Sequence, residues 1–325
     1  MVQVMITGAA GFIGSFLAEH CSEAGCMVLG LGLSEPSDPW SSGSFERCDV
    51  RDYDRLSHFV SSFRPDRIFH LAAQSYPTVS LEHPLETIDV NVGGTVNLFE
   101  SVRAAGISPT VVVACSSAEY GPVESKDLPV KEGHALQPLH PYGVSKVAQD
   151  LLAAQYFYNY SISSVRIRIF NTTGPGKLGD VCADLTKRAI EIELGIRPPV
   201  LMVGNLTQRA LVDVRDLVRG LWLSADFCEP GEVYNLGGNT TYSVQEIIDC
   251  IRRQLKTSIT VEQKRELQRG CDEKVIAGDT SKFRARTGWA PQIDLEETIQ
   301  HMLNWWRVKL SSTDEITSTT QNTKS

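Results

Sequence analysis

The chain has 325 residues, about twice the ~150 of a typical domain, which allows two domains or one large α/β domain with an appended lobe. Hydrophobic residues at 42%, charged residues at 22%, 25 Gly and 15 Pro exclude collagenous, low-complexity and wholly disordered chains. Lys and Arg total 31 against 39 for Asp and Glu, so a net charge of −8 excludes the broad basic face that nucleic-acid binding needs, although a few arginines can still hold a small anion.

Met1 to Gly14 has no basic segment ahead of its apolar run, and no later stretch approaches the ~18 to 20 apolar residues of a membrane span, so neither secretion nor a membrane partner is expected. From Val2 to about Ile169, short apolar or β-branched runs alternate with helical patterns, the form of repeated βαβ units and a parallel sheet. The predicted strands are Val2 to Thr7, Met27 to Leu31, Arg67 to Leu71, Thr110 to Cys115 and Ser164 to Phe170. The predicted helices between them are Phe12 to Ala24, Tyr53 to Phe63, Pro84 to Ala105 and Tyr142 to Tyr160, each with apolar residues at spacings of three and four. Beyond Phe170 the rhythm is irregular, with helices at Val181 to Leu194, Val214 to Ala225, Val244 to Leu255 and Leu295 to Leu310, and strands at Val200 to Val203 and Val233 to Leu236. This half reads as a smaller lobe at the carboxyl ends of the sheet, where open α/β folds bind ligands. Residues 311–325 are nearly all Ser, Thr, Asn, Gln and charge, and read as a disordered tail. The eight cysteines, among them Cys21, Cys115 and Cys250, form no CxxC pair; neither a metal site nor a disulfide framework is expected, and the thiols suit a reducing cytoplasm.

The first strand runs into Gly8-Ala-Ala-Gly11-Phe12-Ile13-Gly14 and then a helix. Glycine here lets the backbone turn tightly and approach a pyrophosphate, while the helix N-terminus offers N–H groups and partial positive charge. Asp49, followed by Val50, stands where a carboxylate accepts an adenine amino group; alternatively the acid in this stretch, Asp52, caps the helix at Tyr53. Leu71-Ala72-Ala73 ends a strand with small residues that permit close approach. The second strand ends in Gly32-Leu33-Ser34, without the acid that binds a ribose 2′-OH, which leaves both NAD(H) and NADP(H) open and makes Ser34 a phosphate contact in the latter case.

Tyr142 and Lys146 lie four apart at a helix start and so share a face. A positive charge beside a phenol favours phenolate and moves it toward the working range for proton exchange with a carbinol or carbonyl. Upstream, Ser116 and Ser117 follow a strand and place hydroxyls at the carboxyl end of the sheet. With the glycine loop, Asp49-Val50, Leu71-Ala72-Ala73 and Asn91 in the same order, the chain resembles the extended short-chain dehydrogenase/reductases, the NAD-dependent epimerase/dehydratase family, over residues 1 to about 310.

The resemblance implies a Rossmann doubly wound parallel sheet over residues 1–170, with later segments returning to it, and a smaller C-terminal α/β substrate-binding lobe over 171–310. It makes Ser116, Tyr142 and Lys146 a catalytic triad, with Tyr142, Lys146 and Asn91 beside the cofactor. It places Ser75, Tyr76, Asn171, Asp180, Val181, Asn205, Arg209 and Arg269 against a nucleotide sugar, Asp180 serving either as a helix cap or as a guanine acceptor. The stretch Gly204-Asn205-Leu206-Thr207-Gln208-Arg209 and the loops at 116–121 and 171–176 are similar to the branch that reduces GDP-4-keto-6-deoxy-D-mannose to GDP-D-rhamnose, departing from it at Thr172-Thr173 and Leu33. The implied reaction is NAD(P)H-dependent reduction of a GDP-4-keto-6-deoxyhexose; the alternative is a GDP-sugar 4-epimerase or 4,6-dehydratase with tightly held NAD(P). Dehydration asks for a carboxylate at position 118, which is Ala118; Glu119 comes one residue late and, on a strand end, faces the other way. Relatives pair through the two long helices, so a homodimer is expected.

Overall fold

The computed structural model of the chain describes residues 1–36, 40–204, 208–264 and 276–321, without the side chains of Arg209 and of residues 312–321. In chain order the first elements are β1 (Gln3–Thr7), α1 (Phe12–Glu23), β2 (Met27–Gly32), β3 (Ser44–Arg47), α2 (Tyr53–Phe63), β4 (Arg67–His70), α3 (Pro77–Glu82), α4 (Pro84–Ile88), α5 (Gly94–Ala105), β5 (Thr110–Ser116), α6 (Pro141–Tyr160) and β6 (Ser164–Ile169). They are followed by β7 (Thr172–Thr173), α7 (Val181–Glu193), β8 (Val200–Val203), β9 (Gln208–Ala210), β10 (Val212–Asp213), α8 (Val214–Phe227) and β11 (Val233–Leu236). The last are β12 (Thr241–Ser243), α9 (Val244–Gln254), β13 (Thr260–Gln263), α10 (Ser281–Thr287) and α11 (Leu295–Gln321).

Two compact units divide the chain. The first takes residues 1–170, 214–239 and 276–290, and the second takes 171–213, 240–275 and 291–325. The first unit holds a seven-stranded sheet in the order β11-β6-β5-β4-β1-β2-β3, every pairing parallel. Its inner strands are apolar on both faces because helices cover both, as Val4, Met5, Ile6, Val111, Val112 and Val113 show by complete burial. Met5, Ile68, Leu98, Phe99 and Val102 belong to one core cluster of this unit, each such side chain contributing roughly 1.5–3 kcal/mol of transfer free energy. The strand order reverses between β1 and β4, and the carboxyl ends of these two strands therefore border the crevice in which doubly wound sheets take their ligands. The second unit packs α7, α9 and α11 around its own core of Ile190, Leu201, Ile247, Ile251, Ile299 and Met302, edged by the pairs β10-β7, β12-β9 and β13-β8.

Two helical expectations change. The single helix predicted over Pro84 to Ala105 is broken by a π-helical turn at Asp89–Gly93. Tertiary contacts accompany the break: Asn91 is fully buried and turned to hydrogen-bond the Gln74 backbone, and a Cβ on Gly94 would stand 2.4 Å from Val50 Cγ2, so only glycine lets α5 begin that close. At the other end α11 continues to Gln321 across part of the segment read as a disordered tail; residues 311–321 contain no Gly or Pro to stop it.

Candidate active site

The loop between β1 and α1 is built by contact. Gly8 has φ +73°, and a Cβ there would lie 2.8 Å from Ala72 N and 2.9 Å from the Leu71 carbonyl carbon. A Cβ on Gly14 would lie 2.2 Å from Gly8 O. The loop thus presses on the end of β4 at Leu71-Ala72, and Thr7 ties the two by accepting the Ala72 N–H at 3.3 Å. Gly11 is the N-cap of α1 and no side chain caps this terminus, so backbone N–H groups and the positive end of the helix dipole face the crevice at the strand-order reversal. Phe12 and Ile13 are half-buried in its first turn. The cradle that only glycine can form, with an uncapped helix start, fits a dinucleotide pyrophosphate.

Beyond β2, Leu33 and Ser34 are exposed. Asp49 accepts a forked pair of bonds from Arg51, whose Nη2 stands 2.7 Å from Oδ2, and this pairing holds its carboxyl below the usual range. Asp52 does cap α2, accepting the Arg55 N–H at 3.0 Å. Val50 is buried against Gly94, while Ala73 is half-buried and Ser75 and Tyr76 are exposed just before α3.

β5 and α6 bring the chemical residues together. The Ser116 hydroxyl lies near the Tyr142 phenol, whose ionised form it favours, and Ser116 Oγ accepts the Ala118 N–H at 3.2 Å. Lys146 is buried one turn along α6, donates to Ala114 O at 2.7 Å, and its Nζ lies 5.8 Å from the centre of the Tyr142 ring. Burial pushes the Tyr142 phenol up to about 12, helped by the Glu119 charge and opposed by the Ser116 hydroxyl. This corrects the expectation that Lys146 draws the phenol toward neutral: Lys146 is itself pushed down by burial and spends a bond on the strand. Ser117 is half-buried beside the pair.

Glu119 is not on a strand. The strand stops at Ser116, a single 3-10 turn follows over Ser117–Glu119, and Ser116 and Glu119 form a capping box. The Ser116 N–H donates to Glu119 Oε1 at 2.8 Å, and the Arg168 Nε donates to Glu119 Oε2 at 3.1 Å and to Asp150 Oδ2 at 2.9 Å. Arg166 donates to the other Asp150 oxygen at 2.6 Å. Burial, with Asp150 alongside, pushes the Glu119 carboxyl up to about 8 against the pull of Arg168. Cys115, Glu119 and Asp150 offer ligand atoms within 4.8 Å of one another, but the Arg168 guanidinium already bonds both carboxyls and is the cation of the group. The S-x-x-E spacing is a sequence signal for this fold-back that strand alternation hides.

A second buried chain was not anticipated. His70 bridges Thr7 Oγ1 at 2.8 Å and Thr95 Oγ1 at 2.9 Å, and burial brings its imidazole down to about 3. Thr95 donates to Asn91 O at 2.6 Å, and the Asn91 amide reaches Gln74 O and Ser145 Oγ. Asn91 therefore holds the loop before α3 to the first turn of α6.

In the second unit, Asp180 caps α7 through the Ala183 N–H at 2.7 Å, and burial raises its carboxyl. Asn171 O accepts the Val212 N–H at 3.1 Å, and Val181 is half-buried in the first turn of α7. The backbone of Arg209 pairs with Tyr242; its side chain, and Asn205 and Arg269 entirely, lie outside the described residues.

The family model for GDP-mannose 4,6 dehydratase matches residues 5–302. GDP-6-deoxy-D-mannose reductase of Pseudomonas aeruginosa is 26% identical over 311 residues, covering 95% of this chain and 98% of that protein. UDP-glucose 4-epimerase of Streptomyces lividans is 29% identical, covering 88% and 91%. Among solved structures, RMD from Pseudomonas aeruginosa complexed with NADPH superposes with a TM-score of 0.84 at 26% identity, over 95% of this chain and all of that one. UDP-glucose 4-epimerase from Brucella ovis in complex with NAD gives 0.80 at 27% identity, over 94% and 98%.

Proposed function

The chain belongs to the GDP-mannose 4,6 dehydratase family, a family of nucleotide-sugar-modifying enzymes of the short-chain dehydrogenase/reductase type, and from that premise we propose that it reduces the 4-keto group of a GDP-4-keto-6-deoxyhexose with NAD(P)H. The observation that carries the chemistry is the convergence of the Ser116 and Tyr142 hydroxyls at the end of β5 and the start of α6, with Lys146 buried one turn away and 5.8 Å from the Tyr142 ring. The substrate class follows the similarity to GDP-6-deoxy-D-mannose reductase along nearly the full chain.

The glycine loop, the uncapped start of α1 and the end of β4 hold the dinucleotide, with Asp49 toward its adenine. Bound there, the nicotinamide supplies the hydride. The chain's own part is the proton: Tyr142 gives its phenolic proton to the oxygen that becomes the alkoxide, and Ser116 holds that oxygen in line. A phenol whose proton is held up to about 12 enters the step as an acid at neutral pH, the form reduction requires. Lys146, one turn along α6 and already donating to Ala114 O, would hold the nicotinamide ribose of a bound coenzyme. In the second unit Asn171, Asp180, Val181, Asn205, Arg209 and Arg269 take the nucleotide and pyrophosphate, the arginines by forked bonds to phosphate. Dehydration finds less support, because position 118 is Ala and the Glu119 carboxyl is occupied by the Ser116 N–H and Arg168.

Free thiols at the seven described cysteines suit our placing of the protein in the cytoplasm, and no described helix is long and apolar enough to cross a membrane. We take the working form to be a homodimer through α4, α5 and α6, where Leu85 and Leu151 are 80% and 57% exposed.

The test is to mix the purified protein with GDP-4-keto-6-deoxymannose and NADPH or NADH and follow the loss of reduced-nicotinamide absorbance. Consumption of one coenzyme per sugar supports the reductase and identifies the preferred coenzyme. No consumption, with interconversion of C4 epimers by protein carrying its own NAD, overturns it in favour of a 4-epimerase, the activity named for several relatives.

A further inference from the structure

Helix α6 carries Tyr142 in its first turn, and the residue that caps the start of this helix is His140. His140 is extended, with φ −146° and ψ 160°, the conformation favoured ahead of a proline, and Pro141 then sets the first helical position. His140 Nδ1 accepts the Gly143 N–H at 3.0 Å, and the His140 carbonyl accepts the Val144 N–H at 3.1 Å. A ring nitrogen that accepts carries no proton, so the imidazole is held as its Nε2–H tautomer.

Capping alone does not call for histidine. Serine, aspartate or asparagine would take the Gly143 N–H with a shorter side chain. What histidine adds is a flat ring: its centre lies 5.9 Å from the centre of the Tyr142 ring, and the two planes are within 24° of parallel, an offset stack. A Cβ on Gly143 would stand 3.4 Å from His140 Cε1 and 2.8 Å from both Ala118 O and Pro138 Cβ, so the imidazole, the turn after β5 and the loop ahead of α6 all close on this glycine. The imidazole is thus tied at Nδ1 and stopped by Gly143. The Tyr142 backbone is fixed as well, its carbonyl accepting Ser145 Oγ at 2.7 Å, but that bond leaves the side-chain torsions of Tyr142 open.

We propose that His140 is a positioning residue for Tyr142: the cap at Nδ1 fixes the imidazole, and the imidazole face holds the phenol turned toward Ser116. The inference rests on the reading of Tyr142 as the group that gives the proton. A phenol held in one rotamer meets the carbonyl oxygen already aligned, whereas a phenol free to turn spends part of its time directed elsewhere. That loss falls on the bound complex, and therefore on kcat rather than KM.

His140→Asn and His140→Phe divide the side chain into its two parts. The asparagine amide oxygen still caps α6 but brings no ring, while phenylalanine keeps a ring and has no acceptor for the Gly143 N–H. With GDP-4-keto-6-deoxymannose and the preferred coenzyme, His140→Asn should lower kcat about tenfold, with KM and coenzyme Kd within about twofold of wild type and an unchanged urea midpoint. His140→Phe should lower the urea midpoint, through loss of the cap, yet keep kcat within about threefold of wild type. A wild-type kcat in His140→Asn overturns the inference, and so does a loss in His140→Phe as large as that in His140→Asn. Should either variant fail to fold, the kcat of the other decides.

Ligand-free protein provides a readout that does not depend on the sugar. In protein isotopically labelled at Tyr and Ser, the nuclear Overhauser contact between the Tyr142 ring and the Ser116 methylene, assigned by its loss in Tyr142→Phe, should be present in wild type and in His140→Phe and absent in His140→Asn. If wild type turns over no sugar, the proposed reaction falls while this comparison still decides the role of His140: a contact retained at full strength in His140→Asn overturns it.

Discussion

Tyr142 is half-buried and His70 fully buried in the neighbourhood of Lys146, and desolvation moves them in opposite directions because one is neutral when protonated and the other when deprotonated. Under the proposed reaction Tyr142→Phe removes the phenolic acid, so turnover should fall at least about 100-fold while coenzyme binding, measured by fluorescence titration, stays within about twofold. His70 makes a different statement. It stays neutral in the folded protein down to about 3, whereas an unfolded histidine takes up its proton near ~6.5, so folding loses stability as pH falls through that window. His70→Gln should lose stability on going from about pH 6 to pH 4 less steeply than wild type, by about 1.4 kcal/mol per pH unit in urea denaturation. The neighbourhood of Ser116 and Tyr142 is legible in the sequence because a strand end and a helix start each fix where a side chain points. Glu119 is not legible that way: alternation beyond residue 116 assigns it to the wrong side, while its capping-box spacing from Ser116 is the cue that survives the end of the strand.

The long helices and the inner strands of the sheet follow the sequence closely, whereas β3, β13, α3 and α10 are not among the predicted elements. The predicted helix at Tyr53 to Phe63 is observed as α2, with Asp52 as its cap, and the strand at Val200 to Val203 is observed as β8. The short pieces escape: β7 and β10 have two residues each, β9 and β12 three, and none is long enough to show a period of two. The break in Pro84 to Ala105 escapes for another reason, since the contact that accompanies it is with Val50, more than forty residues back in sequence. The glycine loop is the element on which coenzyme binding rests. Gly14→Ala forces a methyl group against Gly8 O, which must move the loop off Leu71-Ala72. The variant should lose roughly 1–3 kcal/mol of stability and bind NADPH or NADH at least about tenfold more weakly by titration calorimetry. A variant that binds as tightly as wild type would remove the pyrophosphate from this loop.

At the scale of the whole molecule the proposed dimer rests on apolar side chains left outward on α4 and α6. Light scattering at micromolar concentration should give twice the 35.8 kDa chain mass, and Leu85→Arg combined with Leu151→Arg should give the single-chain mass. A wild-type mass of one chain would remove that arrangement. The alternation of strands and helices makes β1, β2, β4, β5 and β6 legible but not the four-residue edge strand β3, and nothing local in Val233–Leu236 says that it returns to pair with β6.

That return bears on synthesis. The chain passes between the two units at residues 170, 213, 239, 275 and 290, so the first unit is closed by segments made last. On a ribosome releasing the N-terminus first, β6 emerges with its outer edge bare and stays so until β11 follows, and Trp289, which is buried and donates to Asp216 O, arrives later still. The nascent chain therefore spends about sixty residues of translation with an unpaired strand edge, which makes this stretch of synthesis the time when a holding chaperone has most to protect.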